Sequence, residues 1–249
     1  MKAKSAEELK QFLVRQVLLN PRRLELPQLE KELSYISRER VSKPVIYVGM
    51  ATCGRIAGAD KTFAAIREYI DDHGMDVDLV EGGCVGLCSA EPVVDVQLPG
   101  KARISFGNVY HDQVQHLLDE IMNHNLPEAN TIGQYGNEIS QSWEGVRQVK
   151  EHPFFAGQKR VLLDNCGLIG PVSVEEYIAR GGYWAFADTI SRLTPASVCQ
   201  IVEDSGLAGR GGGGYPAGKK WTKALKTISD QKFLVCNAVE SDPGSYMNR

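Results

Sequence analysis

The stretch 82–88 reads Gly-Gly-Cys-Val-Gly-Leu-Cys, and a third cysteine, Cys53, precedes it in a separate loop. Thiolates are the ligands that iron–sulfur clusters select, and a cluster held by one chain usually takes four of them. Glycines next to the thiols let the backbone come close to a metal and leave amide N–H groups free to bond sulfur. We therefore expect Cys53, Cys84 and Cys88 to be three ligands of an iron–sulfur site.

The segments around these cysteines alternate between the patterns of strands and helices. The predicted strands are 44–48, 77–79, 92–96 and 102–106, and the predicted helices are 63–70 and 114–121. Cys53 then lies at a strand-to-helix turn, and Gly74 is typical of a helix end. The order β-α-β-β-β-α predicts an α/β (α+β) fold.

Composition shifts along the chain predict four parts. They are a helical arm (1–42), a domain with the three cysteines (43–124), a linker (125–158) and a second domain (159–249). Ser5 and Glu8 form a capping-box pattern at the start of the arm. In the last part, 161–163 is predicted as a short strand, 183–193 as a helix, and Thr194-Pro195 as the start of a helix that ends at Gly206.

The composition is that of an ordinary soluble protein. The chain has 249 residues and a formal net charge of −3, and its pI is about 6.0. These values predict no nucleic-acid binding, and no run approaches the roughly 18 apolar residues of a membrane span. No charged-then-apolar leader opens the chain, so we expect a cytoplasmic protein. The six cysteines are then expected to be thiols or metal ligands.

Other interpretations of the three cysteines stay open at this stage. Free cysteines are often simply small buried side chains. A Cys3His zinc site could use His73 or His111, although neither histidine has tight ligand spacing. A thiol–disulfide oxidoreductase is also conceivable, but the spacing of Cys84 and Cys88 is three residues rather than the usual two.

Residues 45–121 resemble the thioredoxin-like [2Fe-2S] ferredoxins, which include the small subunit of the NADH dehydrogenase module. The resemblance implies that Cys53 is the second cluster ligand and that Cys84 and Cys88 are the later pair. The place of the first ligand falls near Val48, where this sequence has no cysteine. Cys166, in the sequence Asp-Asn-Cys-Gly, is a candidate for the missing ligand, and the alternative is a half-buried thiol at a strand end.

A second motif is the glycine-rich loop at 206–221, which carries seven glycines, one arginine and two lysines. Such a loop can surround phosphate with N–H groups. Two standard motifs fail: the dinucleotide spacing from Gly209 to Gly214 follows a helix rather than a strand, and a P-loop from Gly213 to Lys219 lacks its Ser or Thr. A flexible linker would not need the large side chains Tyr215 and Trp221.

This loop is similar to the FMN and NADH loop of the flavin subunit of the NADH dehydrogenase module, and 233–244 resembles that subunit's second signature. Members with an added N-terminal ferredoxin domain include the NAD-linked subunit of multimeric [FeFe] hydrogenases. The resemblance implies that Gly209, Arg210, Gly211 and Lys220 approach FMN, that Asn237 and Glu240 bond the flavin, that Tyr215 stacks on the nicotinamide side, and that Asp242 lies near NADH. Val239 replaces an acidic residue of the flavin shell, and Cys236 and Cys199 are not expected to bind metal.

The family continues well past Arg249, through the rest of the flavin fold and a four-cysteine [4Fe-4S] site. We therefore interpret the chain as an N-terminal portion of a flavin subunit, and we expect it to be inactive alone. The resemblance implies an electron-transfer subunit that passes electrons between NAD(H), FMN and iron–sulfur clusters. Its implied partners are a small ferredoxin-like subunit and a hydrogenase or other iron–sulfur acceptor subunit. The alternative is a non-catalytic docking subunit with degenerate cofactor sites.

Overall fold

The computed structural model describes residues 5–210 and 213–235. Contacts divide the chain into two compact units, one of residues 22–180 and one of residues 1–21 with 181–249. The domain boundaries inferred from the sequence stay predictions. Within the described ranges, every helix is too short or too polar to cross a lipid bilayer.

The larger unit contains all the strands found in the described residues. Its strands are β1 (Val45–Gly49), β2 (Asp78–Gly82), β3 (Val94–Gln97), β4 (Arg103–Phe106) and β5 (Thr131–Tyr135). Its α-helices are α2 (Pro27–Ile36), α3 (Thr52–Ala57), α4 (Ala59–Asp72), α5 (Val114–Met122), α6 (Pro153–Ala156) and α7 (Val174–Ala179). The predicted order β-α-β-β-β-α is confirmed from β1 to α5, and the α/β class with it.

The five strands form one sheet in the order β2-β1-β3-β4-β5. β1 and β2 are parallel, with Gly49 opposite Gly82, and the other neighbours are antiparallel. A parallel pair needs a long crossover, and α3 with α4 supplies it. The loops that follow β1 and β2 therefore leave the sheet at the same edge.

One face of the sheet carries the hydrophobic core. Alternate residues of the central strands point to it and are fully buried: Ile46, Val48, Val94, Val96, Ile104 and Phe106. Ile66 of α4 and Leu118 of α5 pack against them. The two-residue period of the strands and the apolar stripes of both helices thus specify the same layer.

The other face of the sheet is polar and is organised by Arg103. Its Nε donates to Asp95 Oδ2 at 2.8 Å, and its Nη2 donates to the carbonyl oxygen of Gly167 at 2.7 Å. The guanidinium carbon lies 3.5 Å from the ring centroid of Tyr47. Because Arg103 is only 7% exposed, these contacts replace its hydration and attach the segment around Gly167 to the sheet.

Two segments of this unit differ in secondary structure from what their sequence patterns indicate. The predicted linker, 125–158, contains β5, and the predicted strand at 161–163 consists of turns. β5 lacks an apolar alternation because Gln134 bonds the carbonyl oxygens of a following loop, at 3.0 Å for Trp143 and 2.6 Å for Val146. Val161 is apolar but 70% exposed and pairs with no strand of the described chain.

The smaller unit is helical where it is described. It contains α1 (Ala6–Phe12), a π-helical segment (Leu13–Leu18), α8 (Trp184–Arg192), α9 (Pro195–Asp204) and α10 (Ala217–Lys226). The predicted capping box of Ser5 and Glu8 is present, and Thr194 caps α9 as predicted. Gly218 of α10 is buried against the backbone of Glu203 in α9, so a side chain at this position would collide with it.

We predict that Arg103→Ala lowers the free energy of unfolding by about 3–5 kcal/mol, because it leaves the Asp95 carboxylate buried without its cation. Denaturant unfolding measures the change. Adding Asp95→Asn should recover part of the loss, since no buried charge then remains. Arg67→Ala, at an exposed arginine of α4, is the matched control and should stay within about 0.5 kcal/mol of wild type. A loss below about 1 kcal/mol for Arg103→Ala, the value of an exposed pair, would contradict the assignment.

Tyr69 of α4 donates from its hydroxyl to Asp119 Oδ1 of α5 at 2.7 Å. Burial, followed by this hydrogen bond, raises the pKa of Tyr69 to about 12. An unfolded tyrosine ionises near pH 10, so the contribution is complete below pH 10 and is lost as pH rises through 12. We predict that Tyr69→Phe costs about 1 kcal/mol at pH 8 and that the difference from wild type shrinks between pH 10 and 12.

Urea unfolding at several pH values tests this prediction. Tyr110→Phe removes a hydroxyl from a side chain that is 45% exposed and should leave the unfolding free energy at pH 8 unchanged. A constant difference between Tyr69→Phe and wild type from pH 8 to 12 would show that the hydroxyl of Tyr69 does not contribute through this bond.

Candidate metal centre

The parallel strands β1 and β2 bring the two cysteine loops together. Beyond the pair of Gly49 and Gly82, the amide of Met50 donates to the carbonyl oxygen of Gly82 at 2.9 Å, which extends the ladder past the strand ends. Cys53 follows in the first turn of α3, and Cys84 follows β2 by two residues. The sheet thus fixes the distance between loops that are about thirty residues apart in sequence.

The three predicted thiols converge at this edge. The Sγ atoms of Cys53, Cys84 and Cys88 all lie within 4.8 Å of one another, and those of Cys84 and Cys88 are 3.7 Å apart. The amide of Gly86 donates to Cys84 Sγ at 3.2 Å. Cys53 and Cys84 are half-buried, whereas Cys88 is exposed. The arrangement has the donor set and the backbone N–H groups that an iron–sulfur cluster uses.

The local environment raises the pKa of two of these thiols, Cys53 and Cys84. Burial is the largest cause for both thiols. For Cys84, the hydrogen bond from the Gly86 amide acts in the opposite direction and lowers the pKa. A thiol binds metal as the thiolate, so metal binding here must release protons. The three residues fit part of a cluster that takes four ligands.

Within the part of the chain that the structure describes, the other candidate ligands lie outside the group formed by the three thiols. Among the described residues, neither Cys166 nor either histidine of the zinc alternative, His73 or His111, belongs to the group within 4.8 Å. Val48 is completely buried in the hydrophobic core and has no atom that binds metal. Cys199 is buried in α9 of the smaller unit. Cys166 as the fourth ligand stays a prediction.

Sequence reasoning missed Glu91, whose carboxyl group lies next to the Cys53 thiol although it is outside the group within 4.8 Å. The Cys53 thiol donates to Glu91 Oε1 at 3.7 Å, and the amide of Val93 donates to Oε2 at 2.8 Å. Glu91 is only 4% exposed, and burial raises the pKa of its carboxyl group. The sequence signal was the acidic residue directly before an apolar strand, three residues after Cys88.

The described residues on the two sides of the glycine-rich loop lie close together before α10. Ala208 bridges to Pro216, and the amide of Gly209 donates to the carbonyl oxygen of Tyr215 at 2.8 Å. Gly209 and Tyr215 are thus brought together, and the predicted flavin residues Gly209, Arg210, Tyr215 and Lys220 are all exposed. Gly211, Asn237, Glu240 and Asp242, together with Val239 and Cys236, lie outside the described residues.

Comparison with known proteins gives a family for the end of the chain. Residues 202–249 match the Nuo51 FMN-binding domain. The chain is 49% identical over 92 residues to the NADP-reducing hydrogenase subunit HndC of Solidesulfovibrio fructosivorans, covering 37% of this chain and 18% of the relative. It is 39% identical over 80 residues to an NADH-quinone oxidoreductase subunit of Escherichia coli, covering 32% of this chain and 18% of the relative. The chain therefore spans less than a fifth of the length of these two relatives.

Two solved structures are similar at low identity. A thioredoxin-like [2Fe-2S] ferredoxin from Aquifex aeolicus matches with 18% identity and a TM-score of 0.33, covering 41% of this chain and 99% of the ferredoxin. An NAD+-reducing [NiFe]-hydrogenase in the air-oxidised state matches with 15% identity and a TM-score of 0.32, covering 89% of this chain and 34% of that one. The chain is thus similar in sequence to HndC and to the NADH-quinone oxidoreductase subunit. Its residues 202–249 are the part that matches the Nuo51 FMN-binding domain.

Proposed function

We propose that this chain is the amino-terminal portion of an electron-transfer subunit in an NAD(P)H-linked oxidoreductase complex. The observation that carries the proposal is the convergence of the Cys53, Cys84 and Cys88 thiols at one edge of the sheet. The match of residues 202–249 to an FMN-binding domain family supports it independently. An iron–sulfur centre and the start of a flavin domain on one chain suit the exchange of electrons between a two-electron and a one-electron carrier.

In this proposal the chain's own residues hold and tune the cofactors. The three thiols hold a [2Fe-2S] cluster, and the amide of Gly86 stabilises the charge on Cys84 by its hydrogen bond. Gly209, Arg210, Gly211 and Lys220 bind the FMN phosphate and ring, Tyr215 stacks on the nicotinamide, and Asn237, Glu240 and Asp242 complete the flavin and NAD(H) site. FMN and NAD(H) bind in the complete protein, whose further part carries the [4Fe-4S] site, and the 249-residue chain alone is inactive.

The proposal extends to the setting of the protein. Its partners are other subunits of a multimeric redox complex, among them a small ferredoxin-like subunit and a hydrogenase or other iron–sulfur acceptor subunit. We place the complex in the cytoplasm, where thiols stay reduced. The five described cysteines, which form no disulfide with one another, agree with that setting.

One observation favours a second candidate, a non-catalytic docking subunit with degenerate cofactor sites. The resemblance puts the first thiolate of the ferredoxins near Val48, and Val48 belongs to the apolar core. NADH-to-dye reduction by the intact native polypeptide in its complex separates the two candidates. A robust rate supports the electron-transfer subunit, and complex formation without any rate supports the docking subunit.

For the cluster itself we predict about two iron atoms and two sulfide ions per chain after anaerobic reconstitution, with a [2Fe-2S] EPR signal on reduction. Cys53→Ser, Cys84→Ser and Cys88→Ser should each lose most of the iron, because each removes a thiolate that this metal selects. Cys199→Ser, which removes a thiol from α9 in the smaller unit, is the matched control and should keep it. Iron-free protein after purification and reconstitution without oxygen would end the cluster proposal.

A further inference from the structure

The buried carboxyl group of Glu91 is directed at the thiol of Cys53, one of the three cysteines. Its side chain leaves the segment between the second cysteine loop and β3, and its Oε1 lies 3.7 Å from Cys53 Sγ. The other oxygen, Oε2, accepts a hydrogen bond from the Val93 amide at 2.8 Å, which fixes the orientation of the group. Glu91 is thus held in place with one oxygen turned toward a cysteine.

Burial of this carboxylate calls for a positive charge. Glu91 is 4% exposed, and no arginine, lysine or histidine of residues 5–210 and 213–235 forms an ion pair with it. Burying a carboxylate is costly unless a cation or a metal lies beside it. The thiol that it touches is itself a predicted iron ligand, so a metal at the thiols would supply that charge.

Two glycines leave the room that the carboxylate occupies. A Cβ atom on Gly49 would lie 2.8 Å from Glu91 Oε2, and one on Gly54 would lie 3.2 Å from the same atom. Neither glycine has a positive φ angle, so the backbone conformation alone does not require glycine there. Glycine is therefore explained at both positions by the close approach of other atoms. At Gly49 these are the carboxyl atoms of Glu91, and at Gly54 they are the Gly49 carbonyl oxygen and Glu91 Oε2.

We propose that Glu91 is the fourth ligand of the cluster, so that three thiolates and one carboxylate oxygen bind the iron. This inference rests on the proposed function, because it requires a cluster at Cys53, Cys84 and Cys88. It adds a fourth donor to the three thiols, in a sequence that has no cysteine near Val48. Carboxylate oxygen is a harder ligand than thiolate but binds iron in many protein sites. Binding converts the carboxyl group to the carboxylate, and its proton is released to solvent with those of the thiols.

The test uses the full chain, reconstituted anaerobically with iron and sulfide, and follows the loss of iron to a chelator. Glu91→Gln keeps the shape and an acceptor for the Val93 amide but weakens the ligand, and it should lose iron at least about 10-fold faster than wild type. Glu81→Gln is the matched control, since Glu81 lies at the same edge on β2 with its side chain 57% exposed. It should behave as wild type, and so should Cys166→Ser.

Mössbauer spectra of the wild-type protein loaded with ⁵⁷Fe give a readout that does not depend on any variant. One carboxylate ligand makes the two ferric ions of an oxidised cluster inequivalent, so two distinct doublets are expected. A single doublet typical of four thiolates would overturn the assignment even if Glu91→Gln does not fold. Equal iron loss from Glu91→Gln and Glu81→Gln would also overturn it.

The remaining outcomes separate this inference from the proposed function. If wild type holds the cluster and Cys166→Ser, but not Glu91→Gln, releases it faster, Cys166 is the fourth ligand and only the assignment of Glu91 fails. If wild type binds no iron under any of these conditions, the proposed function fails, and the ligand assignment fails with it.

Discussion

The parallel pairing of β1 with β2 is the constraint on which the rest of the site depends. Cysteines that are about thirty residues apart meet because Gly49 and Gly82 stand opposite each other where the two strands end. Fully buried side chains on one face of β1 hold this register, since a shift by one residue would turn Ile46 and Val48 out of the core. The positions of the thiols are therefore set by hydrophobic packing, even though the thiols themselves contribute little to it.

The polar face of the sheet holds a second segment of the chain in place. Arg103 crosses from β4 to the segment around Gly167, and Tyr47 and Asp95 surround it. A cation buried in this way contributes less to net stability than to a unique arrangement, because its desolvation offsets much of the attraction. The segment that carries Cys166 is thus attached to the sheet by the bonds from Arg103 to the Gly167 and Leu168 carbonyl oxygens, and the nearby Val161 and Leu162 stay exposed.

The parts of the fold that could be predicted from the sequence are those in which local pattern and packing agree. The order from β1 to α5 follows from apolar periodicity, and α9 follows from the cap formed by Thr194 and Pro195. β5 could not be predicted because its sequence has no apolar alternation: the side chain of Gln134 bonds the carbonyl oxygens of Trp143 and Val146 in the loop that follows. Glu91 was missed because the local signal, an acidic residue three positions after Cys88, does not by itself show that the side chain is buried. The roles of the cysteines and of the flavin residues stay predictions.

Because Cys88 is exposed, the proposed centre would have one of its ligands at the molecular surface. Electron tunnelling weakens steeply with distance, so a redox centre with one ligand at the molecular surface can exchange electrons with a docked protein without any relay in between. The same surface admits dioxygen and peroxides, which attack sulfur that is accessible and thiolate-like. Rapid electron exchange and oxidative damage would therefore occur at the same surface. A partner protein that covers Cys88 would protect the sulfur from oxidation and would also exchange electrons with the centre.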